Sequence, residues 1–206
     1  MLPERRRATG HRHAKNTSHL DLQAGHTLLV RGGTSTVGLS AIALAHDLGA
    51  HVIATTRNPS RDRLLRDHGA DEVLVDDGSL ADVVRQRHPD GLDAALELVG
   101  LDVLPDTLRT LRRGGTGCFT GALAGAWVLN DISPFTLIPT GVRLTTYAGQ
   151  ASDLPETAFA RQLAAIAAHR TTPAIATVHH GLDHVADAQR ALEAGDIPGK
   201  HVVVLG

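Results

Sequence analysis

The stretch Thr27-Leu28-Leu29-Val30-Arg31-Gly32-Gly33-Thr34-Ser35-Thr36-Val37-Gly38 decides how this chain folds. Its short apolar run ends in a glycine pair, the mark of a buried strand stopped by a turn. Beyond the turn, Val37, Ile42, Ala45 and Leu48 lie on one helical face, and Gly49 supplies a C-cap. A turn between a buried strand and a helix is a natural seat for a pyrophosphate. Glycines let the backbone approach, and the helix N-terminus presents free N–H groups. The candidate residues are Gly33, Ser35, Thr36, Val37 and Gly38. The spacing Gly33-x-Ser35-x-x-Gly38 departs from the usual fingerprint because Ser35 replaces the middle glycine. A nucleophile elbow is excluded, since Val37 stands where that motif needs glycine. A glycine-rich turn without a ligand is the plain alternative.

Outward from this stretch the texture repeats. His51–Thr55 reads as a second strand, and Pro59 opens a helix with Leu64 and Leu65 facing inward and Gly69 at its end. Glu72–Val75 is a third strand, followed by a helix over about 79–88. A fourth strand is expected at Ala94–Val99, a helix at about 103–112, a fifth strand at Thr116–Thr120 and a sixth at Arg143–Tyr147. Short apolar strands alternating with helices predict an α/β protein, a Rossmann-type doubly wound parallel sheet with right-handed crossovers. A flavodoxin-like sheet is the alternative on pattern alone.

Composition narrows the function classes. The 206 residues are 42% hydrophobic with a net charge of −2, and only Phe 3, Trp 1 and Tyr 1 are aromatic. The core is therefore aliphatic, and a stacking platform or basic surface for nucleic acid is not expected. The single cysteine, Cys118, excludes an internal disulfide framework. No apolar run approaches the roughly 20 residues of a membrane span, so a cytoplasmic protein without membrane partners is expected. Residues 1–20, with Arg5, Arg6, Arg7, Arg12 and Lys15 against Glu4 and no apolar periodicity, are expected to form a disordered basic arm, and they lack the apolar region of a secretory signal.

The end of the second strand bears on the choice of dinucleotide. Thr55-Thr56-Arg57-Asn58-Pro59-Ser60-Arg61 holds no acid before Asp62. An acid there would bind a ribose 2′-hydroxyl, whereas guanidiniums suit a 2′-phosphate. Thr56, Arg57 and Arg61 are therefore candidates for an NADP(H) pocket; solvated surface arginines are the alternative.

These residues resemble a known family. The run from Ala24 to Gly78 is similar to the nucleotide-binding domain of the medium-chain dehydrogenase/reductase superfamily, near its quinone-oxidoreductase-like and zinc-binding-dehydrogenase-like branches. Leu48-Gly49-Ala50, His68-Gly69-Ala70-Asp71, Asp93–Gly100, the Gly114-Gly115 turn and Gly199–Leu205 carry the likeness further, over about residues 20–206. The resemblance implies a Rossmann domain over 21–173 that binds NADPH. It also implies a C-terminal segment, 174–206, that completes a GroES-like catalytic domain. By resemblance, Ser35, Thr36 and Val37 face the pyrophosphate and Arg57 and Arg61 take the positions near the 2′-phosphate. Val99 and Gly121 sit toward the nicotinamide. Many quinone reductases carry a tyrosine beside the adenine after the third strand, where this chain has Asp76. Only about 25 residues precede the first strand, so the chain is expected to lack the N-terminal catalytic domain. The function implied is hydride transfer to a small carbonyl or quinone substrate; the alternative is a catalytically silent cofactor-binding module. No catalytic acid or base is assigned.

The remaining candidates read as structural. The clusters His11/His13 and His179/His180/His184 lack the partners of a good metal site, so none is expected. Cys118 reads as a small core residue and Tyr147 as packing. The edge strand Arg143–Ala148, with the apolar Trp127, Ile132, Phe135, Leu137 and Ile138, predicts a homodimer joined edge to edge; covering the chain's own core is the alternative use of those five.

Overall fold

The apolar run at Thr27 forms β1 (Thr27–Arg31), the third of six parallel strands. In the computed structural model, which describes residues 20–121, 128, 130–149, 155–195 and 197–205, the sheet runs β3-β2-β1-β4-β5-β6. The other strands are β2 (His51–Thr56), β3 (Glu72–Val75), β4 (Leu92–Glu97), β5 (Leu111–Phe119) and β6 (Arg143–Thr146). This is the doubly wound order, with its reversal between β1 and β4. The basic arm up to residue 19, His11 and His13 within it, and Trp127 lie outside the described residues.

The strands are apolar throughout because both faces of the sheet are covered. Leu28 and Val30 turn to one face, where α1 (Thr36–Leu48) packs Leu39, Ile42 and Ala45 against them. Leu29, Ile53 and Ala95 turn to the other, under Leu80 and Val84 of the α3 region (Ala81–Arg87) and Leu104 and Leu108 of α4 (Leu104–Arg109). Cys118 is buried in the first of these cores. Burial raises the pKa of its thiol, although Thr120 hydrogen-bonds it. Tyr147 packs against the same core.

Several expected boundaries move. β4 spans Leu92–Glu97 rather than Ala94–Val99, because the Val99 and Gly100 N–H groups bond the Glu97 carboxylate instead of a ladder partner. The helix expected over 103–112 ends at Arg109, and β5 begins at Leu111, ahead of the glycine pair. Gly114-Gly115 fall where the register jumps from Leu92↔Leu111 to Ala94↔Thr116. A Cβ on Gly115 would lie 2.9 Å from the Leu92 carbonyl oxygen. Pro59 opens a 3₁₀ turn, Pro59–Arg61, before α2 (Asp62–Asp67).

After the short α5 (Pro134–Leu137) and β6, α6 (Glu156–Ala167) leads to a second unit. There β7 (Ile175–His180) and β8 (Lys200–Val204) pair in parallel as a separate two-stranded sheet, connected through α7 (Val185–Ala194). Arg170 ties the segment after α6 back to Asp47 of α1 at 2.7 Å. Of the apolar residues expected at a dimer contact, Leu137 and Ile138 pack on the second core, whereas Phe135 is 96% exposed.

Candidate functional site

The loop after β1 is built by its glycines and one serine. Gly32 has φ +86°, a conformation glycine adopts without strain. The Gly33 N–H bonds the Thr55 carbonyl at 3.0 Å, fastening the loop to β2. A Cβ on Gly38 would sit 2.5 Å from the Gly32 oxygen, so only glycine lets the helix start so close to the strand. Ser35 lies at φ −71°, ψ 159°, an extended conformation open to any residue. Its hydroxyl accepts from the Gly38 N–H at 3.0 Å and donates to the Gly32 carbonyl at 2.9 Å, capping α1. That double role gives the physical reason for serine at this position. The Thr36 and Val37 N–H groups precede the first main-chain bond of the helix, from Leu39 to Ser35.

Beside this loop, at the carboxyl ends of the strands, lies a crevice of about 550 Å³, within the size range of small-ligand sites. Gly32 and Thr34 form one wall; Thr55 to Arg57, Val75 to Gly78 with the acids Asp76 and Asp77, and Val99 with Val103 form the rest. Thr56 is also engaged locally, its hydroxyl accepting from the Asn58 N–H at 3.1 Å. The other expected residues stand apart from this lining. Arg61 reaches the Gly195 carbonyl at 3.4 Å. Gly121 lies beside Leu98. Thr36 borders a smaller groove shared with Gln162 of α6.

The floor of the crevice holds a charged network with no periodic signature in the sequence. Arg31, the last residue of β1, is fully buried. Its guanidinium donates to both oxygens of Asp76 at 2.8 Å, to Asp106 at 2.9 Å and to the Thr107 hydroxyl at 3.0 Å. Burial alone would raise the Asp76 pKa, but hydrogen bonds from Arg31 and the Gly78 N–H hold it below the usual carboxylate range. Asp106 is likewise held low, because bonds from the Leu80 N–H and Arg109 outweigh its burial. Glu97 goes the other way: burial raises its pKa despite bonds from Thr107, Gly100 and Val99. Asp76, where the resemblance led to the expectation of a tyrosine, is thus committed to a buried arginine. Chain separations of 45 and 75 residues keep such contacts out of reach of any local pattern.

A family model described as zinc-binding dehydrogenase matches residues 36–165. This chain belongs to that family. The zinc-binding dehydrogenase fold here is the Rossmann-type nucleotide-binding domain of the medium-chain dehydrogenase/reductases, as the sequence resemblance implied. The chain is 27% identical over 192 residues to phthioceranic/hydroxyphthioceranic acid synthase of Mycobacterium tuberculosis, covering 88% of this chain and 9% of that one. It is 33% identical over 106 residues to a probable quinone oxidoreductase of Schizosaccharomyces pombe, covering 51% of this chain and 32% of that one. A mycobacterial protein solved in complex with NADPH superposes with a TM-score of 0.75 at 26% identity, covering 91% of this chain and 59% of the other. The chain thus spans about a tenth of the synthases it matches and little more than half of that solved structure.

Proposed function

We infer that this chain is the NADPH-binding part of a cytoplasmic hydride-transferring oxidoreductase that reduces quinones, enones or related carbonyl compounds. The observation that carries the reading is Arg57 on the wall of a dinucleotide-sized crevice, on the β2 end that would meet the adenosine ribose. Asp76, on the β3 side of the same crevice, is paired with Arg31, which offsets part of the charge that it and the neighbouring Asp77 set against a phosphate dianion. The close approach at Gly38 and the cap at Ser35 fit the loop to receive a pyrophosphate. NADPH would lie with its pyrophosphate against Ser35, Thr36 and Val37 and its 2′-phosphate toward Arg57. Its nicotinamide would lie near Val99. When bound, it supplies the hydride; the chain's residues bind and orient it. The names and complexes of the relatives support the same reading, since they include a quinone oxidoreductase and an NADPH complex.

Among the described residues that line the crevice there is no histidine, cysteine, lysine or tyrosine. The lining therefore holds no set of zinc ligands. The same observation favours a second reading, in which the chain is a cofactor-binding module whose substrate chemistry is completed by another domain or subunit. Incubating the purified chain with NADPH and a panel of quinones and enones separates the two. Turnover near about 1 s⁻¹ supports a complete enzyme, and NADPH binding without turnover supports the module. Failure to bind NADPH at all overturns both.

A further inference from the structure

At the amino ends of the strands, across the sheet from the crevice, three side chains converge. His51 opens β2, Glu72 opens β3 and His88 follows the last residue of α3. The β2–β3 register pairs Ile53 with Glu72, so His51, two residues earlier, projects from the same face as the glutamate. α3 packs on that face through Val84 and ends at His88.

We propose that His51, Glu72 and His88 form a binding site for one divalent transition-metal ion of the zinc class. The Glu72 Oε1 atom lies 2.8 Å from His51 Nε2 and 3.0 Å from His88 Nε2, and the three donor atoms all lie within 4.8 Å of one another. Ligand bonds of about 2.0–2.2 Å in a tetrahedron place neighbouring donors about 3.3–3.6 Å apart. The two edges already formed need to open by about half an ångström to reach that spacing. Two imidazoles and one carboxylate suit zinc, cobalt(II) or nickel(II) rather than calcium or magnesium, which prefer oxygen ligands.

The surroundings fit the same assignment. Arg87 approaches the other carboxylate oxygen, Oε2, at 3.5 Å and leaves Oε1 to the two histidines. Asp71 Oδ2 faces the second ring nitrogen of His51 at 3.6 Å and is itself held by the Val52 N–H at 2.7 Å. A carboxylate behind a ligating imidazole fixes the ring and its tautomer. All three side chains are partly exposed, which leaves the outer coordination position to water. Among the described residues this is the sole His/Cys/Asp/Glu group with three donors so close together. It lies at the opposite edge of the sheet from the proposed nicotinamide position. Its metal would therefore pin β2, β3 and the end of α3 rather than act on a substrate.

Equilibrium dialysis of the full chain against zinc alone tests this. One equivalent should bind, and it should be lost or weakened at least 100-fold in His51→Ala and Glu72→Gln. The double substitution His179→Ala/His180→Ala should retain it. Asp71→Asn, which acts by positioning His51, should weaken binding by about 10-fold. Ring-nitrogen NMR of the wild-type chain needs no variant: added zinc should shift the His51 and His88 Nε2 resonances. No zinc bound by the wild type, an unchanged affinity in both single variants, or shifts confined to other histidines would overturn the site.

Discussion

Arg31 and Asp76 meet across the intervening strand β2 through two parallel hydrogen bonds of 2.8 Å, with the arginine side chain fully buried and the aspartate 8% exposed. The pair closes the floor of the crevice and ties the ends of β1 and β3 to Asp106 of α4. Arg31→Met keeps much of the side-chain volume but leaves Asp76 buried without its cation, while Asp106 keeps only Arg109. Breaking such a pair costs about 3–5 kcal/mol. Urea denaturation should show a loss of this size; a loss below about 1 kcal/mol would mean that water or rearrangement satisfies the aspartates.

The same network sets an acid limit. Asp76 and Asp106 have folded-state pKa values below the ordinary carboxylate range. Their contribution is full above the unfolded value of about 4 and is lost as pH falls through the lowered folded values. Glu97 has the opposite sign, since its folded pKa is raised. Between its unfolded and folded values the native state binds the extra proton, so stability falls as pH rises through that window. Melting temperatures measured as a function of pH should show a shallower acid limb for Asp106→Asn than for wild type. Glu97→Gln should remove the decline above the ordinary carboxylate range. Parallel pH profiles for all three proteins would reject this assignment of charges.

Much of this architecture was legible in the sequence. Leu28 and Val30 against Leu29, with glycines at 32, 33 and 38, contain the sheet, its two covered faces and the loop. What stayed hidden depends on side chains meeting across strands. Arg31 reads as one more loop-edge residue until Asp76 and Asp106 are brought to it by the sheet. The end of β4 reads too far along the chain because Leu98 and Val99 are apolar, while the Glu97 carboxylate takes the Val99 and Gly100 N–H groups and ends the ladder. His51, Glu72 and His88 are scattered in sequence, and only strand register and the end of α3 unite them.

The capping role of Ser35 separates two substitutions. Ser35→Ala removes the bond from the Gly38 N–H and should destabilise the chain by about 1 kcal/mol. Ser35→Gly, which restores the usual fingerprint, should cost only a few tenths. Thermal denaturation of the two variants checks the order, and equal losses would remove the cap from the explanation.

The outer edge of β6 makes the proposed homodimer testable. The Tyr147 N–H bonds the Phe119 carbonyl, so in an alternating strand the Thr145 N–H also faces β5, and the Leu144 and Thr146 N–H groups face outward. Light scattering should give about twice the 21.7 kDa chain mass. Thr146→Pro, which removes an outward donor without touching the β5 ladder, should yield monomer. A monomeric wild type at micromolar concentration would exclude the pairing.

Calorimetric titration of the chain with NADPH and with NADH, repeated on Arg57→Ala, bears on the proposed function most directly. NADPH should bind far more tightly than NADH. The substitution should narrow the gap by about 1.5–3 kcal/mol, the size of a hydrogen bond to a charged group, while leaving NADH affinity unchanged. Equal affinities for the two dinucleotides in the wild-type chain, or a gap untouched by the loss of Arg57, would show that the crevice does not read the 2′-phosphate.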